Sequence, residues 1–67
     1  MNRIPVASTN VESVGYSNGV LEVRFRSGAI YHYYNASEAL YYQFLNAPSK
    51  GQFISRILRN YRYTRVA

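Results

Sequence analysis

Val11-Glu12-Ser13-Val14-Gly15-Tyr16-Ser17-Asn18-Gly19-Val20-Leu21-Glu22-Val23-Arg24-Phe25 is the stretch that decides the fold. Asn-Gly between two alternating apolar runs is the strongest short-range hairpin signal, because a type I′ turn needs positive φ at both central residues. From Val20 to Phe25 the alternation puts Leu21, Val23 and Phe25 on one face and Val20, Glu22 and Arg24 on the other. A two-residue turn at Asn18-Gly19 pairs Tyr16 with Leu21 and Val14 with Val23, so both strands show their apolar residues to the same side. That agreement supports the register.

The chain turns again through Arg26-Ser27-Gly28, where two registers compete, and a slip of one residue exchanges the faces of every side chain that follows. A two-residue turn at Ser27-Gly28 sets Phe25 opposite Ile30 and Val23 opposite His32, leaving Tyr31 and Tyr33 outward as a stacking platform. A three-residue loop with Gly28 in the left-handed position sets Val23 opposite Tyr31 and Leu21 opposite Tyr33, which takes the tyrosines into the core. The second is favoured, since this loop is common and leaves His32 outside beside Glu22.

Downstream the pattern becomes helical. Asn35 with Glu38, and Ser49 with Gln52, resemble capping boxes, each just ahead of an apolar periodic segment. In the first helix Leu40, Tyr41, Phe44 and Leu45 form one face, Tyr42 and Gln43 point away, and Ala47-Pro48 ends it. In the second, Ile54, Ile57, Leu58 and Tyr61 recur at i, i+3, i+4 and i+7, with Gln52, Arg56 and Arg59 opposite. Residues 61–66 alternate and read as an extended tail or a short fourth strand. The expectation is an α+β fold: a three-stranded antiparallel meander, then two helices packed on one face, with the C-terminal strand left open. The 67 residues make one domain, 1–67, with a core from about 8 to 63; residues 1–7 and the last few are expected to be flexible. Cysteine is absent, so neither disulfides nor thiolate zinc ligands staple the fold, and the apolar runs are too short for a membrane span or signal peptide. A cytoplasmic protein with no membrane association is expected.

The net charge of +5 is segregated. Residues 1–39 carry Arg3, Arg24 and Arg26 against Glu12, Glu22 and Glu38, whereas residues 40–67 carry Lys50, Arg56, Arg59, Arg62 and Arg65 and no acid. Such segregation favours anionic partners. Arginine recurs every third residue from Arg56 to Arg65, with Tyr61 and Tyr63 interleaved, a combination that contacts phosphates while rings stack on unpaired bases. The leading expectation is a small non-catalytic module for RNA, either tRNA or single-stranded, using Lys50, Arg56, Arg59, Arg62 and Arg65 for phosphates and Tyr63 for stacking. In the competing reading the helix arginines are a solvated face, and exposed tyrosines, with Tyr34, Tyr42 and Tyr63 foremost, serve a protein partner or a homodimer. Ser49, Lys50 and Gly51 could form an anion site through free helix amides and the lysine charge; alternatively Ser49 and Gln52 only cap the helix and Lys50 is solvated. One His and three separated Glu supply neither a catalytic constellation nor a metal ligand set, so no catalytic residue, metal or cofactor is expected, and His32 reads as a strand residue beside Glu22.

The order of Leu21-Glu22-Val23-Arg24-Phe25-Arg26-Ser27-Gly28, Tyr31-His32-Tyr33, Leu40-Tyr41 and Ala47-Pro48-Ser49-Lys50-Gly51-Gln52-Phe53 resembles the KTSC domain. This short bacterial domain takes its name from the C-terminus of some lysyl-tRNA synthetases and also occurs as a free-standing protein. The resemblance spans residues 8 to 63, with the Tyr-x-Tyr signature at Tyr31 and Tyr33 and the Ser-Lys-Gly motif at Ser49, Lys50 and Gly51. It implies an RNA context through the synthetases, and it brings no catalytic residue.

Overall fold

The structure, a computed structural model, describes residues 3–67. These form β1 (Arg3–Pro5), β2 (Val11–Ser17), β3 (Val20–Phe25), β4 (Ile30–Tyr33), α1 (Glu38–Asn46), α2 (Lys50–Arg56), a 3-10 turn (Leu58–Asn60) and β5 (Tyr63–Arg65). The strands make one antiparallel sheet in the order β1-β2-β3-β4-β5, and the helices lie between its last two strands in sequence. The expected flexibility of residues 1 and 2 lies outside the described residues.

Asn18 (φ 49°) and Gly19 (φ 79°) form the expected tight turn, and around it Tyr16 pairs with Leu21 and Val14 with Val23. Val11 and Val14 are both fully buried although three residues apart, a spacing that plain alternation would split between the two faces. A bulge between Val11 and Ser13 absorbs the extra residue and returns both to the core. At the second hairpin the register is the three-residue one. Val23 pairs with Tyr31, Glu22 with His32 and Leu21 with Tyr33, while Gly28 (φ 98°) takes the positive φ that closes the loop. The Phe25 amide donates to Ala29 O at 2.8 Å and the Gly28 amide to Phe25 O at 2.9 Å.

Four strands precede the helices, not three. The extra one, β1, is three residues long and contains Pro5, so it carries no alternation to read; proline is tolerated on an edge strand because its missing N–H costs no ladder bond. The C-terminal alternation does form a strand, with Tyr33 paired to Tyr63 and Tyr31 to Arg65. Its hydrogen bonding continues through the Val66 amide to Ile30 O at 2.8 Å.

Both helices depart from the expected starts or ends. The cap of α1 is Ser37, whose Oγ accepts from the Leu40 amide at 3.0 Å, while Asn35 sits at φ 57° in the preceding turn and leaves Glu38 as the first helical residue. Leu40, Tyr41 and Phe44 are buried as expected, and Ala47 is the C-cap. Ser49 caps α2, its Oγ accepting from the Gln52 amide at 3.2 Å. However, α2 stops at Arg56 and the 3-10 turn follows, with three residues per turn instead of 3.6. That change of pitch leaves Ile57 39% exposed, and Phe53 takes its place inward, its ring 5.1 Å from that of Phe44. The core thus joins Val11, Val14, Leu21, Val23 and Tyr33 of the sheet to Leu40, Tyr41, Phe44, Phe53 and Leu58. No helix among the described residues is long and apolar enough to cross a membrane.

Candidate functional site

Helix coverage of the sheet is incomplete. Along β4 the residues alternate, and Tyr31 and Tyr33 face the helices; β5 adds Tyr63 and Arg65 on the same side through its pairing with them. Where the helices leave this face open, a groove of about 830 Å³ remains, floored by Phe25, Tyr31, Tyr33 and Tyr63 and walled by Ile54 of α2. The floor is a continuous aromatic surface. Tyr31 stacks on Tyr63 with centroids 5.6 Å apart and planes at 29°, Tyr33 lies 5.7 Å from Tyr63, and Phe25 meets Tyr31 edge-on at 5.4 Å. Tyr33 is buried and Tyr63, at 55%, is the most exposed ring of the floor. Burial, reinforced by the neighbouring Tyr31 and Tyr63, pushes the Tyr33 phenol above its ordinary pKa, so it stays a protonated hydroxyl at neutral pH.

Three arginines line this groove, Arg26 from the second hairpin loop, Arg59 from the 3-10 turn and Arg65 from β5, and no acidic residue does. Arg26 is braced by its Nε donating to Ser8 O at 2.9 Å, and Arg65 by its Nε donating to Ala67 O at 2.9 Å. Arg59 makes no side-chain hydrogen bond or ion pair among the described residues. Two of the three acids are paired elsewhere, and the third, Glu38, lies in the first turn of α1. Glu12 lies 3.3 Å from Arg24, and Glu22 takes both Arg3 and His32 on the opposite face of the sheet, the His32 Nε2 at 2.7 Å. Burial alone would raise the Glu22 carboxyl, but the hydrogen bonds from His32 and Arg3, helped by their charges, more than offset it and hold the pKa below the usual carboxylate range.

The residues singled out in the sequence divide. Arg59, Arg65 and Tyr63 come together with the Tyr31 and Tyr33 signature in the groove, and Gly51 lines it as well. Arg56 and Arg62 are exposed but outside its lining. Lys50 is only 9% exposed, its ammonium donating to Ala47 O at 2.7 Å and Leu45 O at 3.1 Å at the end of α1. Together with the capping role of Ser49, this makes the Ser49-Lys50-Gly51 segment a helix junction, and α2 has only seven residues from which to draw a dipole. Of the tyrosines expected outside, Tyr42 and Tyr63 are exposed and Tyr34 is half-buried. Sequence reasoning missed Arg26, Phe25 and Asn10. Arg26 stood in the neutral half of the chain, and its surplus became visible only once Glu12 and Glu22 were assigned to Arg24 and Arg3.

This arrangement supplies flat π surfaces, guanidinium groups and hydroxyls. It suits a ligand that is planar and anionic by turns.

A family model, the KTSC domain, matches residues 7–65. A protein of Stutzerimonas stutzeri is 33% identical over 70 residues, covering 98% of this chain and 99% of that one. A protein of Tsukamurella paurometabola is 35% identical over 57 residues, covering 82% of this chain and 85% of its own length. Among solved structures, the crystal structure of a KTSC domain protein from Yersinia pestis superposes with a TM-score of 0.91 at 30% identity, over 98% of this chain and 97% of that one.

Proposed function

The chain belongs to the KTSC domain family, and on that footing we propose that it is a non-catalytic module that binds single-stranded RNA in the groove between the sheet and α2. The observation that carries this reading is the meeting of three stacked tyrosines and three arginines in one groove with no acid in its lining. Unpaired bases stack on aromatic side chains at about 1–3 kcal/mol each, and guanidinium groups take the phosphates between them. A groove of about 830 Å³ falls in the range that encloses a small ligand, so it suits a short stretch of strand rather than a duplex.

The test is fluorescence anisotropy with a labelled single-stranded RNA octamer and a hairpin duplex of the same composition. If Arg26, Arg59 and Arg65 each neutralise one phosphate, log affinity falls with log salt at a slope near −2, roughly a 20-fold loss between 50 and 200 mM. Binding that ignores salt, or that prefers the duplex, contradicts the proposal. Should neither RNA bind while sedimentation shows mass rising with protein concentration, the exposed tyrosines belong to a homodimer contact instead.

A further inference from the structure

Gly51 sits in the first turn of α2 with its φ outside the left-handed region, so no backbone requirement calls for glycine there. Glycine is the poorest helix former after proline, and having no Cβ it leaves the surface of that turn bare. The nearest atom to a Cβ built on Gly51 is Asn10 Nδ2, at 3.8 Å. The Asn10 carboxamide therefore lies against the bare surface of this turn, at the distance of an ordinary van der Waals contact with a Cβ.

Asn10 is fixed by its backbone and free at its tip. Its amide N–H donates to Ser8 Oγ at 3.3 Å and its carbonyl accepts from the Arg26 amide at 2.9 Å, whereas its carboxamide makes no hydrogen bond among the described residues. The side chain is exposed and lines the aromatic groove together with Gly51. Both residues also line an adjoining recess of about 250 Å³. A carboxamide presents a donor and an acceptor side by side, the pattern that matches the donor–acceptor edge of a nucleobase; a phosphate offers acceptors only.

Resting on the reading of the groove as a single-strand site, we infer that Asn10 is its specificity-determining residue. Its carboxamide reads the edge of an unpaired base seated in the groove beside Asn10 and against Ile54, while the arginines hold the flanking phosphates. The site then recognises base-bearing nucleotides and not polyanions in general. In a duplex the Watson–Crick edge is already occupied, so the same contact selects unpaired strands.

The experiment compares three labelled octamers, oligoadenylate, oligouridylate and an abasic ribose-phosphate chain, on wild type, Asn10→Ala and Gly51→Leu. Wild type is expected to favour the base-bearing strands. Asn10→Ala is expected to lower affinity for at least one of them about tenfold, with the abasic chain and the salt slope unchanged. Since the Asn10 carboxamide makes no hydrogen bond among the described residues, this variant is expected to keep its structure, which circular dichroism checks. Gly51→Leu, which fills the space from the opposite side, is expected to give the same selective loss. If both variants leave base-bearing affinity unchanged, or lower it equally for the abasic chain, the inference fails while the groove stands as an RNA site. If wild type binds none of the three, the RNA reading fails and takes this inference with it.

Discussion

Lys50 follows a serine, precedes a glycine and opens a helix, all features of a phosphate ligand, yet its ammonium turns back to the carbonyls of Leu45 and Ala47. The last carbonyls of a helix lack intrahelical donors, and α1 has no basic residue in its final turn. Lys50 supplies that cation from across the turn, where the negative end of the helix favours it. Lys50→Ala is therefore expected to cost about 1–3 kcal/mol of stability, by leaving carbonyls unpaired in a largely buried site. A urea melt reads this directly, and RNA affinity measured beside it is expected to stay within about twofold, as for a residue remote from the ligand. Unchanged stability with lost affinity would return Lys50 to the binding surface. Nothing in the local sequence separates the two roles, because they differ only in the path of the chain through Ala47-Pro48.

At the scale of elements, the strands were legible where a turn set their register. Asn18-Gly19 and the alternation after it determine β2 and β3, and the loop at Gly28 places both signature tyrosines on the groove side. Gly28 is accordingly a test of the whole hairpin. A Cβ there meets no atom within 4 Å, so the cost of Gly28→Ala comes from its φ of 98° alone, an expected destabilisation of about 1–2 kcal/mol in thermal or urea unfolding. No measurable loss would mean that the loop relaxes to another geometry. β1 and the end of α2 were not legible, since three residues give no period and a switch from α to 3-10 pitch leaves the apolar spacing unchanged. What ties β1 to the sheet, beyond its ladder, is the reach of Arg3 past β2 to Glu22, which also holds His32 of β4. Glu22 has a depressed pKa in the folded state, so its stabilising effect is complete above the unfolded-state value and is lost as pH falls through the folded one. The stability gap between wild type and Glu22→Gln is thus expected to be widest near neutrality. It should close as pH drops through the usual carboxylate range and below; a gap independent of pH would show that the contact is not ionic.

For the molecule as a whole, the charge excess of residues 40–67 raised the expectation of an anionic partner but did not locate the surface that would meet one. Arginines spaced three apart belong to one face only if the helix continues, and here α2 gives way to a 3-10 turn and then to β5. The fold thereby separates Arg59 and Arg65, which line the groove, from Arg56 and Arg62, which do not, and it recruits Arg26 from the neutral half of the chain. On the proposed reading of the groove, position relative to the tyrosine floor, rather than charge itself, determines which cations contact the strand. Arg59 makes no ion pair or side-chain hydrogen bond among the described residues, so Arg59→Ala is expected to leave stability within about 0.5 kcal/mol of wild type. It should also weaken RNA binding and reduce the steepness of the salt dependence by about 0.7, the contribution of one phosphate on a single strand. Arg62→Ala removes the same formal charge from outside the groove and is expected to leave that slope unchanged. Equal slopes for the two variants, measured between 50 and 200 mM salt, would mean that RNA responds to the diffuse field of a basic protein and not to this groove.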